Sequence, residues 1–313
     1  MSTSEYPANR LRGSWRPRLR ALAVSRPIPA DVWAVWALLA LAVVIRLLTI
    51  DNQSFWTDEA LTAYEAHLPF GAMINTVTHV ETTPPLYFVL IWAWAHVFGI
   101  GEVALRSIST LAGVAVVGIA YLATRELISR WAGVVAAALV TVNPFMIWFS
   151  QEARSYMLLA ALTGASFLWF VRALREPSRR NLSWWAAFSA LSVMTHFFAG
   201  FLVAPEALWL LWSARSRIAL VAVGAVGVAQ LAMLPLAVAD TGHGAGWVGQ
   251  TSQLHRVSRT VAEWGVSILL RRVTVLQGLL AAVALVVAGG LLVGLGGGRR
   301  LQRGAAIAAA LAA

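Results

Sequence analysis

Long apolar segments alternate along the chain with short polar separators. The apolar segments are 31–50, 84–99, 104–124, 131–149, 155–173, 183–197, 199–213, 217–237 and 273–296. Many are close to the roughly 20 residues that a helix needs to cross a bilayer, and Pro, Asn, Gly or Arg residues mark the breaks between them. The pattern predicts an all-α polytopic membrane protein with one helical domain over 31–296. A polar tail over 1–30 precedes that domain, and a loop with the start of an incomplete helix follows over 297–313.

The composition supports this fold class. The chain has 313 residues, of which 59% are hydrophobic and 12% charged, and its mean hydropathy is +0.71. Soluble proteins have about 25% charged residues. The net charge of +10 could suggest a nucleic-acid partner, but every basic residue is Arg and these residues cluster at the ends of apolar segments. Such clusters are typical of membrane orientation signals, so we reject nucleic acid as a partner. The absence of Cys excludes disulfides and thiolate-bound metals.

The distribution of charge predicts the orientation of the chain. The basic tail over 1–30 is expected in the cytoplasm, and the loop over 51–102, which has no Lys or Arg, is then external. The later Arg clusters all fall inside only if 84–124 crosses the membrane once and 183–213 crosses it twice. The segment 84–99 would form about 24 Å of helix against a hydrocarbon core of about 30 Å. We therefore expect it to be re-entrant or to lie at the outer interface.

This topology brings polar residues from distant segments to the external face. They are Asp58, Glu59, Glu81, Gln151, Glu152, Arg154, Tyr156 and His196. A second external loop, over 238–272, breaks the charge rule because it carries four Arg residues, and it is a candidate anion site. The ionisable groups gather at one external face. That favours an enzyme over a transporter or lipid flippase, which would need ionisable residues near the middle of the membrane.

Asp58 and Glu59 are the first candidates for chemistry. Thr57 can begin a short amphipathic helix at the membrane interface. Its apolar positions recur at helical spacing: Leu61, Tyr64 and Leu68. The two acids could simply favour the helix N-terminus. Alternatively, one of them is a general base for an acceptor hydroxyl or a metal ligand. Adjacent residues of a helix point about 100° apart, so the two are not expected to share one role.

Glu81 precedes Pro84 and Pro85, which set an extended entry into the next helix. One interpretation is a plain helix start. The other places Glu81, together with His79, beside Asp58 as a second carboxylate or as metal ligands.

Three segments supply candidate phosphate ligands. Arg154 suits a phosphate because its planar fork donates two parallel hydrogen bonds, although it could instead pair with Glu152. Arg46, in the outer turn of the first helix, must reach the interface or find a partner, which could be an acid of the loop or a lipid phosphate. His196, at the outer face with Tyr156, could be structural or could bind phosphate or metal.

The ordered set of motifs is more specific than any one of them. The motifs are Trp-x-Asp-Glu-Ala at 56–60, Pro-Pro-Leu-Tyr at 84–87, Gly-x-Gly-Glu-x-Ala-Leu-Arg-x-x-Ser at 99–109, Gln-Glu-Ala-Arg-x-Tyr at 151–156 and Thr-His-Phe at 195–197. The set resembles polyprenyl-phosphate-sugar-dependent membrane glycosyltransferases of the C-type fold, over about 30–260. It is most similar to bacterial family-39 proteins related to protein O-mannosyltransferases and to the lipid A aminoarabinose transferase. Many relatives carry His where this chain has Thr83, and most are longer.

The resemblance implies a helical bundle with amphipathic juxtamembrane helices in the first external loop. It also implies inverting transfer of a sugar from a polyprenyl-phosphate carrier to a lipid, glycan or protein acceptor, outside the bacterial cytoplasmic membrane. Asp58 matches the base, with Glu59 as its usual neighbour. A lipid-phosphate leaving group then needs ligands at the membrane surface, for which we expect Arg154, His196, Arg46 and Tyr156. A divalent cation could bind at Glu81 and His79. One alternative is a transporter or flippase. Another is a truncated non-catalytic relative, because the apolar run over 304–313 is too short to span a membrane.

Overall fold

The described part of the chain is helical throughout, which confirms the predicted fold class. A computed structural model describes residues 29–81 and 83–240. The helices are α1 (Ala30–Leu47), α2 (Thr57–His67), α3 (Phe70–Val80), α4 (Leu86–Phe98), α5 (Glu102–Leu127), α6 (Arg130–Val142), α7 (Pro144–Phe149), α8 (Tyr156–Arg175), α9 (Arg179–Thr195), α10 (Ala199–Ala214) and α11 (Arg217–Asp240). The predictions for the basic tail, for the loop over 238–272 beyond residue 240 and for 273–313 fall outside the described residues.

Four helices of the described ranges are long and apolar enough to cross a membrane, namely α1, α5, α8 and α11. The predicted segment 131–149 is not one helix but two. Asn143 ends α6, and its side chain accepts a hydrogen bond of 3.0 Å from the backbone N–H of Met146. Pro144 then occupies the first position of α7, where its missing N–H costs nothing. The cap and the proline together start a new helix.

The helices α1, α6 and α8 all pack against α5. Helices α5 and α8 run in one direction, and α1 and α6 run in the opposite direction. Gly133 lets α6 approach α5 closely, since a Cβ there would lie 2.7 Å from the backbone oxygen of Tyr121. At one end of this bundle Tyr121 donates a hydrogen bond of 2.7 Å to Asp31. At the other end Arg46 donates one of 3.0 Å to Ser150. We call the end with Ser150, where α5 and α8 begin, the site end. The end with Asp31, where α5 and α8 finish, is the opposite end.

The helices α2, α3 and α4 form a layer at the site end. Their shared core consists of buried apolar side chains, including Met73, Val77, Tyr87, Phe88 and Ile91. The indole N–H of Trp92 on α4 donates to the backbone oxygen of Leu68 at 2.9 Å. With 13 residues, α4 is about 20 Å long, shorter than a bilayer core. The expected amphipathic juxtamembrane helices are thus present, and the position of α4 relative to the membrane stays a prediction.

One ionisable side chain lies in the middle of a bundle helix. Glu206 of α10 is fully buried. Its Oε2 accepts hydrogen bonds from the indole N–H of Trp185 on α9 and from the hydroxyl of Ser166 on α8, both at 2.8 Å. The expectation that ionisable groups gather only at one external face is therefore wrong at this position. Because its partners are on α8 and α9, Glu206 links three helices.

Candidate active site

The buried face of α2 is polar. Glu59, Thr62 and Glu65 follow one another at intervals of three residues, and all three are buried. Tyr64, on the apolar face expected from the sequence, is 58% exposed. The amphipathic helix is therefore present, but it turns its polar side toward the rest of the protein and builds the candidate site from it.

Glu59 forms a buried ion pair with Arg106 of α5. The guanidinium donates to both carboxylate oxygens, from Nη2 at 2.7 Å and from Nε at 2.9 Å. The remaining Nη1 of Arg106 donates to the backbone oxygens of Ile50 and Gln53 at 2.8 and 2.7 Å. Glu59 also accepts a hydrogen bond of 2.7 Å from the backbone N–H of Ala153. This carboxylate therefore joins α2, α5 and the segment before α8.

These contacts separate the two acids that the sequence offered as catalytic. Both oxygens of Glu59 are engaged, and the residue is only 1% exposed. The contacts favour an anchoring role for it. Asp58 is half-buried. Within residues 29–81 and 83–240, its carboxylate has no hydrogen bond and no ion pair, while its backbone oxygen accepts a bond of 3.0 Å from Thr62. Asp58 is the acid that remains able to take a proton.

Arg154 is held beside Asp58 by Glu81. Two hydrogen bonds of 3.2 Å join Nη1 and Nη2 of Arg154 to the two carboxylate oxygens of Glu81. Nη1 also donates to the hydroxyl of Thr62 at 3.3 Å and to the backbone oxygen of Asp58 at 3.5 Å. The alternative pairing with Glu152 is wrong, because that carboxylate accepts the indole N–H of Trp148 instead. Glu81 and Arg154 are thus brought to Asp58 as expected, but as partners of each other.

Unused hydrogen-bonding capacity lies next to this pair. Glu65 is fully buried, and neither of its carboxyl oxygens has a hydrogen-bond partner in the described residues. Burial and the negative charge of Glu81 raise the pKa of Glu65 to about 8, against the opposing effect of Arg154. At pH 7 its carboxyl group is therefore mostly protonated. The Nε of Arg154 is also buried without an acceptor among the described residues, so it is a donor that a bound anion could use.

His196 lies at the C-terminal end of α9, close to Tyr156 at the start of α8. Their ring centroids are 6.1 Å apart. The backbone N–H of Phe198 donates to Nδ1 of His196 at 3.2 Å, which assigns the ring proton to Nε2. Burial and the positive charge of Arg154 lower the pKa of His196. The imidazole is therefore neutral at pH 7 and can donate a hydrogen bond from Nε2. Two of the expected phosphate ligands, His196 and Arg154, are thus brought together.

Arg46 and His79 lie apart from this group. Arg46 is fully buried and donates to the backbone oxygens of Ala42, Val140 and Thr141 at 3.3–3.4 Å, besides Ser150. It satisfies carbonyl groups at the end of α6 that have no intrahelical partner. The expectation that Arg46 binds the donor phosphate is therefore corrected, because no face of its guanidinium is accessible. His79 is exposed and contacts the backbone oxygen of Asn75 at 2.7 Å.

The described residues contain no group of three or more His, Cys, Asp or Glu side chains placed to hold a metal ion. Glu81, proposed as a metal ligand or second carboxylate, is occupied by Arg154.

Two members of the site were absent from the sequence-based candidates. Arg106 is a single charge near the start of the apolar segment 104–124. A charge in such a segment needs a partner, and this signal could have revealed it. Glu65 shares the face of α2 with Glu59, but only the structure shows that this face is buried.

Comparison with protein-family models places this helical bundle among the membrane glycosyltransferases. The model that matches describes the dolichyl-phosphate-mannose-protein mannosyltransferases, and it covers residues 82–239, half of the chain. The chain therefore belongs to this family, which uses lipid-linked sugar donors. The matched segment includes Arg106, Arg154 and His196, and it begins after α2, which carries Asp58. A comparison with curated proteins found no match.

Proposed function

We propose that this protein transfers one sugar from a polyprenyl-phosphate carrier to an acceptor hydroxyl, with inversion, outside a bacterial cytoplasmic membrane. Membership of the family supports a lipid-linked donor. The observation that carries the proposal is the position of Asp58 beside Arg154. The carboxylate of Asp58 is not hydrogen-bonded within the described residues, and its backbone oxygen lies 3.5 Å from Nη1 of the buried arginine.

Asp58 acts as the general base. It accepts the proton of the acceptor hydroxyl while that oxygen forms a bond to the anomeric carbon. The bond from the anomeric carbon to the phosphate oxygen breaks on the opposite side, and its electron pair stays on the phosphate. A retaining reaction would need a second carboxylate placed as a nucleophile. Among the other acids of the site, Glu59 and Glu81 are both held by arginines, and Glu65 is buried with a pKa raised to about 8, so that it is mostly protonated. The arrangement therefore fits inversion.

The leaving phosphate needs hydrogen-bond donors at the same end. Arg154 offers its unused Nε, and His196 offers Nε2 as a neutral donor. Tyr156, partly exposed beside His196, can add its hydroxyl. Donors aimed at the oxygen that gains charge stabilise the transition state more than the ground state. Glu59 and Arg106 act indirectly, since they fix the first turn of α2 and hence the position of Asp58.

Substitution of Asp58 tests this assignment. The full chain and its Asp58→Asn variant would be purified in detergent and incubated with a panel of polyprenyl-phosphate sugars, with loss of the lipid-linked sugar as the readout. We expect the variant to lose roughly 10²-fold to 10⁴-fold in rate while keeping the melting temperature of the wild type. Asp51→Asn, an exposed acid just before α2, is the matched control and keeps its rate. A parallel series with EDTA reports whether a divalent cation takes part. Near-normal transfer by Asp58→Asn would refute the role of Asp58.

A further inference from the structure

A cavity lies at the opposite end of the bundle, between the last turns of α5 and α8. Its volume is about 320 Å³, and it is lined by Leu122, Arg125, Glu126, Arg172 and Arg175. Since α8 has 20 residues, the cavity is about 30 Å from the site end along this helix. It is therefore separate from the candidate active site.

The charges that line the cavity do not cancel. Glu126 accepts hydrogen bonds from Nε of Arg172 at 2.8 Å and from Nη1 of Arg175 at 3.2 Å. Arg125 donates one long hydrogen bond of 3.5 Å to the hydroxyl of Tyr121, and its guanidinium lies 5.8 Å from the centroid of that ring. Three guanidinium groups and one carboxylate thus line the cavity, and most of the guanidinium N–H groups have no acceptor in the described part of the chain. An anion would complete this arrangement.

Aromatic and apolar side chains mark the cavity as a boundary between polar and apolar surroundings. The guanidinium of Arg172 lies 4.5 Å from the ring of Trp169, and that of Arg180 lies 5.8 Å from the same ring. Trp169 stacks on Trp184, which is exposed. Trp side chains concentrate at the level of lipid headgroups. Leu122 belongs to α5, one of the helices suited to crossing the membrane, and it gives the cavity an apolar wall on the exposed surface of the bundle.

We propose that this cavity binds the phosphodiester headgroup of an anionic lipid, with an acyl chain lying along the surface of α5 beside Leu122. Planar guanidinium groups bind phosphate through pairs of parallel hydrogen bonds. Basic pockets between membrane helices are recurrent sites for anionic headgroups. Arginines at helix C-termini also offset the helix dipole, but that effect does not require a cavity or three arginines around one acid. The lipid holds the ends of α5 and α8 together through one shared anion.

Lipid titration followed by native mass spectrometry tests this site. The full chain in detergent would receive phosphatidylglycerol, phosphatidylcholine or inorganic phosphate. We expect preferential retention of phosphatidylglycerol over phosphatidylcholine. Replacing Arg172 and Arg175 by Gln, together with Glu126→Gln so that no acid is left unpaired, should lower phosphatidylglycerol affinity on the order of tenfold. A double substitution of Arg179 and Arg217 by Gln removes the same number of positive charges outside the cavity, and we expect it to change the affinity little.

The single variant Glu126→Gln separates a lipid site from a simple ion pair. If the arginines serve a lipid phosphate, removal of the competing carboxylate raises phosphatidylglycerol affinity. If they serve only Glu126, this variant melts at lower temperature and its lipid affinity does not rise, which overturns the proposal. Equal binding of the two lipids, equal losses in the cavity and control variants, or inorganic phosphate that displaces phosphatidylglycerol at the same concentration would also overturn it.

Discussion

Arg106 and Glu59, which are 47 residues apart, form a bidentate ion pair with both side chains almost completely buried. The pair fixes the first turn of α2, so the position of Asp58 depends on it. The carboxylate of Glu59 also accepts a hydrogen bond from the backbone N–H of Ala153, the residue before Arg154. The side chain of Glu59 thereby holds the segments that carry the proposed base, Asp58, and the proposed phosphate ligand, Arg154, close together.

Loss of one partner of this pair should destabilise the protein. For Arg106→Gln we expect a loss of about 3–5 kcal/mol in the free energy of unfolding, because a buried carboxylate is left without its counter-ion. Thermal unfolding in detergent measures this. Arg106→Lys should recover only part of the stability, since an ammonium group cannot make the paired bonds. Arg179→Gln, at an exposed position, is the control. A melting temperature of Arg106→Gln equal to that of the control would contradict the anchoring role.

Glu81 should tune the availability of Arg154 for the donor. In Glu81→Gln the guanidinium loses its ionic partner, so we expect altered donor affinity with less change in the chemical step. In Arg154→Lys both the paired bonds to Glu81 and the Nε–H donor for the phosphate are lost, and we expect a fall of at least roughly tenfold in kcat/KM. Separate measurement of kcat and KM with a polyprenyl-phosphate sugar distinguishes a change in donor affinity from a change in the chemical step. A normal kcat/KM for Arg154→Lys would exclude a direct contact with the phosphate.

His196 is predicted to act as a neutral donor. Because burial and Arg154 lower its pKa, donor affinity should not fall as the pH rises from 6.5 to 8. His196→Gln can keep a donor near the position of Nε2, whereas His196→Phe cannot. We expect the Phe variant to lose about tenfold in donor affinity and the Gln variant to lose less. Affinity that falls steeply over this pH range in the wild type, but not in His196→Phe, would indicate a charged imidazole instead.

Glu65 should make stability depend on pH. Its pKa is raised from 4.5 to about 8, so between these values the folded state holds a proton that the unfolded state has lost. The free energy of unfolding therefore falls as the pH rises through this window, by at most about 1.4 kcal/mol per pH unit. Glu65→Gln removes this dependence, and its melting temperature should exceed that of the wild type by more at pH 8 than at pH 5. Equal differences at the two pH values would refute a raised pKa.

The sequence was sufficient for the fold class because this class leaves strong local signals. Apolar segments of bilayer length are easy to recognise. Arg counting could group Arg154 and His196 with Asp58 because it predicts which helix ends lie at the same end of the bundle. The break at Asn143 and Pro144 was visible as a turn signal but did not by itself show two helices.

Pairing was the part that the sequence could not supply. Arg46 and Arg154 are both predicted from the sequence to be phosphate ligands, yet one donates to backbone oxygens in the interior and the other contacts the backbone oxygen of Asp58. Glu59 and Asp58 are adjacent, yet only the carboxylate of Glu59 has hydrogen-bond partners for both oxygens. The same holds for Glu206. The sequence shows a single acid in an apolar helix, and its role in linking helices becomes clear only from its hydrogen bonds with Trp185 and Ser166. Such differences arise from contacts between residues far apart in the chain.

The contacts of Glu59 also constrain the order in which the protein can be built. Its partners come from α5 and from Ala153, so the frame around Asp58 cannot close while the ribosome is still synthesising the first 150 or so residues. Glu59 has no counter-ion until Arg106 is synthesised, and it lacks its backbone donor until Ala153 follows. Assembly of the site must therefore follow insertion of α1, α5 and α6, and a chain stalled before α7 would carry the proposed base and Arg106 but would lack Ala153 and Arg154.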